Sequence, residues 1–134
     1  MKRDLDLQRN ILFYVEDDFE PGDFAYCEIS IDTYDAKVVE EHCSLLIQAG
    51  YINSADRRSH SIEMDGIYVG NLTNAGYDFF DKIRQDTIWN KTKDIIVKKG
   101  LPLIPQTIGK IASAIIESTV EGVTSAILKN NGIG

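Results

Sequence analysis

The order of secondary-structure elements is clearest in residues 34–70, YDAKVVEEHCSLLIQAGYINSADRRSHSIEMDGIYVG. In the first half of this stretch, apolar positions recur at intervals of three or four, which predicts a helix over residues 34–49. Gly50 stands where a left-handed C-terminal cap belongs. In the second half, two short apolar stretches flank the polar residues 54–61, which predicts a β-hairpin. The stretch therefore predicts a helix that leads directly into a hairpin.

The residues before this stretch predict one helix and one strand. Apolar side chains at helical spacing predict a helix over residues 4–18, with Asp4 as its N-cap. Residues 26–31 alternate between apolar and polar and predict a short strand. Thr33 is the predicted N-cap of the helix that follows.

The residues after the hairpin are predicted to be helical. Thr73 precedes a helix that continues to Lys99, with a bend near residues 86–87. The sequence Gly-Leu-Pro at residues 100–102 interrupts the pattern, and a last, apolar helix is predicted over residues 105–128.

A helix, a strand, a helix, a β-hairpin and a helix, in this order, are the layout of a winged-helix domain. In such domains the helix before the hairpin often lies in the major groove of DNA. The additional helix that usually follows the first strand is missing or reduced here, because only two residues separate Ile31 from Tyr34. The fold is therefore predicted to be α+β, with a winged-helix-like domain over residues 1–100 and a C-terminal helical extension over residues 101–134.

Four blocks of the sequence are distinctive when they are taken together. They are MKRDLDLQRNIL at residues 1–12, EHCSLLIQAGYI at 41–52, LTNAGYDFFDKIR at 72–84 and DTIWNKTK at 86–93. With these blocks, roughly the first 100 residues resemble the phage and prophage family known as domain-of-unknown-function family 2513. The resemblance implies a winged-helix-like fold and a phage, prophage or mobile-element setting. It implies no established activity and no catalytic residues.

Charge argues against duplex binding by the winged-helix-like part. The chain has 14 basic and 21 acidic residues, a net charge of -7, whereas duplex affinity depends mainly on cations that neutralise phosphates. The helix over residues 34–49 offers only Lys37 as a cation, beside Glu40 and Glu41. If DNA is bound nevertheless, the candidate contacts are Lys37, Ser44, Gln48, Arg57 and Arg58.

The last helix has a broad apolar face, which is expected to be buried against another surface because its exposure to water is unfavourable. This face packs on its own domain, contacts a second copy or a partner protein, or lies on a membrane. A membrane surface is disfavoured because the polar side lacks a cationic character, with Lys110 and Lys129 opposed by Glu117 and Glu121. The candidate residues for self-association or partner contact are Ile108, Ile111, Ala112, Ile115, Ile116, Val120, Val123 and Ile127.

The sequence contains no arrangement typical of an enzyme, a cofactor site or a metal site. Adjacent helical residues such as His42 and Cys43 point about 100° apart and do not converge on one metal ion, and a zinc site needs three or four ligands. His42 is instead predicted to be a packed, hydrogen-bonded core residue. Two cysteines and no long apolar run favour a cytoplasmic protein without a membrane span.

The sequence thus favours a non-enzymatic, phage- or prophage-associated winged-helix binding protein that acts mainly through protein–protein contacts. Its apolar C-terminal helix is the predicted element for self-association or partner binding. The alternative is a DNA-binding transcriptional regulator that uses the helix over residues 34–49 and the hairpin tip at Arg57 and Arg58. In that alternative, dimerisation through the last helix pairs two weak half-sites.

Overall fold

The computed structural model describes residues 1–20, 27–55 and 66–130, and it describes side chains as far as Ser118. These residues form five helices and a three-stranded antiparallel sheet, which confirms the predicted α+β class. In chain order the elements are α1 (Leu5–Asp18), β1 (Cys27–Ile29), α2 (Ala36–Gln48), β2 (Ile52–Ser54), β3 (Ile67–Leu72), α3 (Asn74–Ile83), α4 (Asp86–Lys99) and α5 (Pro105–Asn130).

The sheet is small, and its strand order is β1-β3-β2. β3 lies in the centre and pairs antiparallel with both neighbours, with Ile52 in β2 opposite Leu72 in β3. β2 and β3 are thus the two strands of the predicted hairpin. The tip between them, which includes Arg57 and Arg58, lies outside the described residues.

The chain divides into two compact units, Met1–Phe80 and Asp81–Gly134. The boundary between these two units reflects which residues pack together. The predicted domain boundary at residue 100 rested on the sequence pattern and the family resemblance, and it stays a prediction.

In the first unit, α1 packs against the sheet and against α2. The ring of Phe13 in α1 meets the ring of Phe80 edge-on, with 4.7 Å between their centroids. This packing holds α2 with one side buried and the other side in solvent. The largest fully buried apolar side chains of the unit are Leu7, Ile11, Leu12, Val15, Val39, Leu46, Ile52 and Phe80.

α2 starts at a cap other than the predicted one. Asp35, and not Thr33, is the N-cap, because the Asp35 carboxylate accepts a hydrogen bond from the Lys37 N–H at 2.8 Å. The residues before Asp35 form a turn, so no helix separates β1 from α2. At its other end, α2 stops before Gly50 as predicted, and Gly50 has a left-handed φ of 85°.

In the second unit, α4 and α5 pack along each other. The helix predicted to bend near residues 86–87 is interrupted instead, because Gln85 has an extended backbone conformation between α3 and α4. α4 ends at Gly100, whose φ of 61° is left-handed. As far as Ser118, the buried side chains of α4 and α5 are Ile88, Trp89, Thr92, Ile96, Ile108 and Ala112.

Candidate functional site

Three of the candidate DNA contacts lie on the solvent-facing side of α2. Lys37, Glu41, Ser44 and Gln48 follow one another at helical intervals of four, three and four, so they form one stripe, here called the α2 face. Lys37, Glu41 and Gln48 are exposed and Ser44 is half-buried. The side-chain amide of Gln48 donates a hydrogen bond to the Ser44 hydroxyl at 3.2 Å. The structure thus places Lys37, Ser44 and Gln48 on one side of α2, with Ser44 and Gln48 in contact.

The α2 face has the wrong charge for a polyanion. Lys37 is the only cation in α2, and the exposed carboxylates of Glu40 and Glu41 stand beside it. Residues 1–80 contain six basic and 16 acidic side chains, a net charge of -10, whereas residues 81–134 contain eight basic and five acidic ones, a net charge of +3. Phosphate contacts dominate duplex affinity, so this charge distribution opposes duplex binding by the first unit.

His42, on the opposite side of α2, is fully buried and has a partner for each ring nitrogen. Its Nε2 accepts a hydrogen bond from the Asp4 backbone N–H at 2.9 Å, and its Nδ1 donates to the Val38 carbonyl at 2.8 Å. Because a backbone N–H only donates and a carbonyl only accepts, these bonds fit the neutral ring with the proton on Nδ1. The predicted packed, hydrogen-bonded core histidine is confirmed.

The Asp4 side chain adds two further contacts at the same place. One carboxylate oxygen accepts a hydrogen bond from the Leu7 N–H at 3.0 Å, which makes Asp4 the predicted N-cap of α1. Burial raises the pKa of Tyr34, and the Asp4 carboxylate raises it further by its charge and its hydrogen bond with the phenol. Asp4 thus ties the start of α1 to the turn before α2.

The two cysteines are free and buried. Burial raises the pKa of Cys27 to about 11, with a smaller contribution from Asp18. Burial also raises the pKa of Cys43 to about 12, with contributions from Cys27 and Glu40. Both thiols are therefore protonated at neutral pH, a state that is poorly nucleophilic and a poor metal ligand. Within the described residues, no three His, Cys, Asp or Glu side chains group in a way that could hold a metal ion.

A second polar cluster, which the sequence did not reveal, joins the hairpin to the helices on both sides. The Thr73 N–H donates to the Tyr51 carbonyl at 3.0 Å, and the Thr73 hydroxyl donates to the Gly50 carbonyl. The same hydroxyl accepts from the Gly76 N–H at 2.9 Å, so Thr73 is the predicted N-cap of α3. A Cβ on Gly76 would overlap the Tyr51 carbonyl oxygen. These four residues are here called the junction.

All four residues of the junction belong to the distinctive sequence blocks. Two of them, residues 41–52 and 72–84, meet at this point, and the rings of Tyr51 and Phe79 stack with centroids 4.9 Å apart. The block at residues 1–12 contributes Asp4, the partner of His42. These contacts fix the positions of helices and strands, and none of them creates an open reactive group.

An apolar groove lies between α4 and α5 in the second unit. It has a volume of about 450 Å³ and is lined by Lys91, Ile95, Ile111, Ala114, Ile115 and Ser118. Sequence reasoning identified Ile111 and Ile115 and missed the other four. The spacing of Lys91 and Ile95 in α4 shows that they share a side of that helix, but only the pairing with α5 makes that side the wall of a groove.

The predicted contact residues of α5 fall into three groups. Ile108 and Ala112 are buried within the chain. Ile111, Ile115 and Ile116 are half-buried, and the first two line the groove. The side chains of the remaining three, Val120, Val123 and Ile127, lie outside those the structure describes. Among the described residues of this face, Ile111 and Ile115 therefore remain partly accessible at the α4–α5 groove.

Exposed charged residues lie on both helices that form the α4–α5 groove. Lys91 in its wall is exposed, and so are Lys110 and Glu117 on α5. Lys98, one turn beyond Ile95, forms an ion pair with Asp94 at 3.0 Å. Val97, on the other side of α4, is 74% exposed.

Although α5 has 26 residues, no helix in the described parts of the chain is both long enough and apolar enough to cross a membrane. The half-buried isoleucines of α5 are interrupted by exposed polar residues such as Lys110 and Glu117.

Comparison with known proteins identifies the family. The sequence model of the family described as "Hypothetical protein (DUF2513)" matches residues 2–102. The chain is also 36% identical over 116 residues to an "Uncharacterized protein" of Haemophilus influenzae (strain ATCC 51907 / DSM 11121 / KW20 / Rd), a match that covers 87% of this chain and 96% of the relative. No solved structure matches the chain significantly. The chain therefore belongs to the DUF2513 family, as the four sequence blocks predicted.

Proposed function

We propose that this DUF2513 protein is a non-enzymatic, phage- or prophage-associated winged-helix binding protein that acts mainly through protein–protein contacts. One observation carries the proposal. The first unit turns an acidic helix face to solvent, whereas the second unit has an open apolar groove. The phage setting is supported by the resemblance of the sequence blocks, and a cytoplasmic location by the two free, buried cysteines.

The winged-helix assignment is supported by topology. The order α1-β1-α2-β2-β3, with α2 directly before the hairpin, is the order of such domains without their second helix. The central position of β3 between β1 and β2 agrees with a three-stranded sheet in which the hairpin forms the wing. In this assignment, α2 occupies the place of the helix that reads DNA in other winged-helix domains.

Charge supports protein contacts over duplex contacts. A helix that enters the major groove brings its exposed side chains within reach of two phosphate backbones. On the α2 face, Glu41 and the neighbouring Glu40 outnumber Lys37. An apolar groove, in contrast, is a common docking site for a helix of another protein or another subunit.

Affinity capture from host cells with the tagged full-length chain tests the proposal. We expect specific recovery of a protein, insensitive to nuclease, that is lost with Ile115→Asp in the wall of the α4–α5 groove. Val97→Asp is the matched control, since it places the same acid on an exposed apolar position of α4 away from the groove. Recovery of nucleic acid alone, or equal recovery with both variants, contradicts the proposal.

A DNA-binding transcriptional regulator is the second candidate, because Lys37, Ser44 and Gln48 do share the exposed α2 face. This function predicts duplex binding that weakens as salt increases. It also predicts further weakening with Lys37→Ala, Arg57→Ala and Arg58→Ala. A gel-shift series that shows no retention even at low salt rules it out.

A further inference from the structure

We propose that the occupant of the α4–α5 groove is a second copy of this chain, with the two α5 helices packed antiparallel about a two-fold axis. The inference rests on the proposed protein-contact role of the groove and specifies the partner. Its basis is that the groove side of α5 is complementary to itself in both shape and charge.

Shape complementarity comes from the alternation of large and small side chains. Ile111, Ala114 and Ser118 lie on the groove side of α5 at intervals of three and four. When two antiparallel copies are related by an axis level with residues 112 and 113, Ile111 of each copy lies opposite Ala114 of the other. The small alanine leaves room for the isoleucine, which allows the helix axes to approach to about 8–10 Å.

Charge complementarity selects the antiparallel direction. Lys110 and Glu117 are both exposed, seven positions apart, and flank the groove side of α5. Among the side chains that the structure describes, neither has an ion-pair partner within the chain. In the antiparallel arrangement Lys110 of each copy lies beside Glu117 of the other, which gives two favourable pairs. In a parallel two-fold pair, the flank that carries Lys110 and Glu117 would lie at opposite edges of the interface in the two copies, so neither residue would pair with the other.

α4 completes the interface. Its side chains Lys91 and Ile95 form the second wall of the groove, so a helix seated there contacts α4 as well as α5. Two α4–α5 pairs then form a four-helix arrangement that covers Ile95 and Ile115 of both copies. Each copy places its α5 in the groove of the other copy. Both grooves are then filled, so the two-fold axis closes the assembly at a dimer.

Exchanging the charges of Lys110 and Glu117 in the full-length chain tests the antiparallel arrangement. Lys110→Glu alone and Glu117→Lys alone each convert both attractive pairs into repulsive ones, so we expect the dimer dissociation constant to rise about tenfold in either variant. An equimolar mixture of the two variants restores both attractive pairs, and so does the double exchange within one chain. Sedimentation equilibrium measures the constants, and circular dichroism checks that each variant is folded.

Lys99→Glu is the matched control, because it makes the same change of charge at an exposed position of α4 outside the groove walls, and it should leave the dissociation constant unchanged. Preferred association of the mixed variants establishes the antiparallel pair. A wild-type monomer that still captures a host protein through Ile115 overturns the dimer but leaves the protein-contact role intact. A monomer that captures no protein overturns both, and a dimer insensitive to charge exchange overturns the antiparallel α5 contact.

Discussion

At the scale of single residues, His42 connects α2 to the start of α1 by using both ring nitrogens. The contact joins residues 38 positions apart in sequence, and the ring itself has no solvent exposure. A buried polar group left without its partner is costly, whereas an exposed one is not. The contribution of His42 is therefore to stability, and it is measurable without any knowledge of the partner.

We predict that His42→Leu lowers the free energy of unfolding by about 1–3 kcal/mol, since the Asp4 N–H loses its acceptor. Glu41→Gln, at the neighbouring exposed position, should change it by less than about 0.5 kcal/mol. Urea denaturation of both variants measures the difference. Equal free energies of unfolding for the two variants would show that the hydrogen bonds of His42 make no net contribution to stability.

The buried thiols predict a loss of stability at alkaline pH. The pKa of Cys27 is about 11 and that of Cys43 about 12 in the folded chain, against an ordinary 9.0. As the pH rises above 9.0, the unfolded state releases thiol protons that the folded state retains, so the free energy of unfolding decreases until the folded pKa values are reached. Below pH 9.0 this contribution is fully present.

We predict that Cys43→Ala flattens the alkaline part of the stability curve relative to the wild type. Denaturation series at pH values on both sides of 9.0 measure the slopes. Ser44→Ala, the next residue in α2, is the control and should retain the wild-type slope. Identical slopes in the wild type and Cys43→Ala would contradict a raised pKa of Cys43.

At the scale of elements, the junction determines how α2, the hairpin and α3 meet. Gly76 must lack a side chain because the Tyr51 carbonyl occupies the space of its Cβ, and backbone cannot move aside as a flexible side chain does. Gly50 is different. A Cβ there meets nothing within 4 Å, and only its left-handed φ favours glycine.

We therefore predict that Gly76→Ala lowers the free energy of unfolding by more than about 2 kcal/mol, whereas Gly50→Ala lowers it by about 1 kcal/mol. Thermal and urea denaturation of the two variants give the comparison. A smaller loss for Gly76→Ala than for Gly50→Ala would contradict the close approach at the junction.

Local signals explain which elements could be predicted from the sequence. The caps at Asp4 and Thr73 and the left-handed end of α2 at Gly50 depend on neighbouring residues only, and all three were predicted correctly. The prediction of Thr33 as the N-cap of α2 was wrong, because Asp35, two residues later, is an equally good capping residue. Only the turn before α2 distinguishes the two residues. The separation of α3 from α4 was not foreseen because no proline or glycine marks it.

The candidate surfaces were predicted less completely than the elements. Periodicity identified the exposed side of α2 because a single helix determines it. The α4–α5 groove depends on which sides of two helices meet, so the burial of Ile108 and the contribution of Ile95 could not be read from either helix alone.

At the scale of the whole molecule, charge is unevenly distributed. The net charge of -10 on residues 1–80 and +3 on residues 81–134 separates an acidic half from a weakly basic one. Such a distribution keeps polyanions away from the α2 face. It is compatible with docking at the α4–α5 groove, where Lys91 is the only charged residue among the described lining residues.

We predict that the wild type is not retained on duplex DNA at low salt, and that Glu40→Lys with Glu41→Lys raises its affinity for the duplex at least about tenfold. Asp17→Lys with Asp32→Lys changes the net charge equally at exposed positions outside the α2 face and is the control. A gel-shift series over salt concentration gives the affinities. Strong retention of the wild type would show that charge does not limit binding.

The most direct test of the central claim is hydrogen–deuterium exchange on the full-length chain, measured at protein concentrations below and above the dimer dissociation constant and with duplex DNA at low salt. We predict that association with a second copy slows exchange of the amides at residues 91–95 and 111–118, and that the duplex leaves residues 36–48 unchanged. Slower exchange in α2 with the duplex, together with no change along the α4–α5 groove in any sample, would contradict the claim.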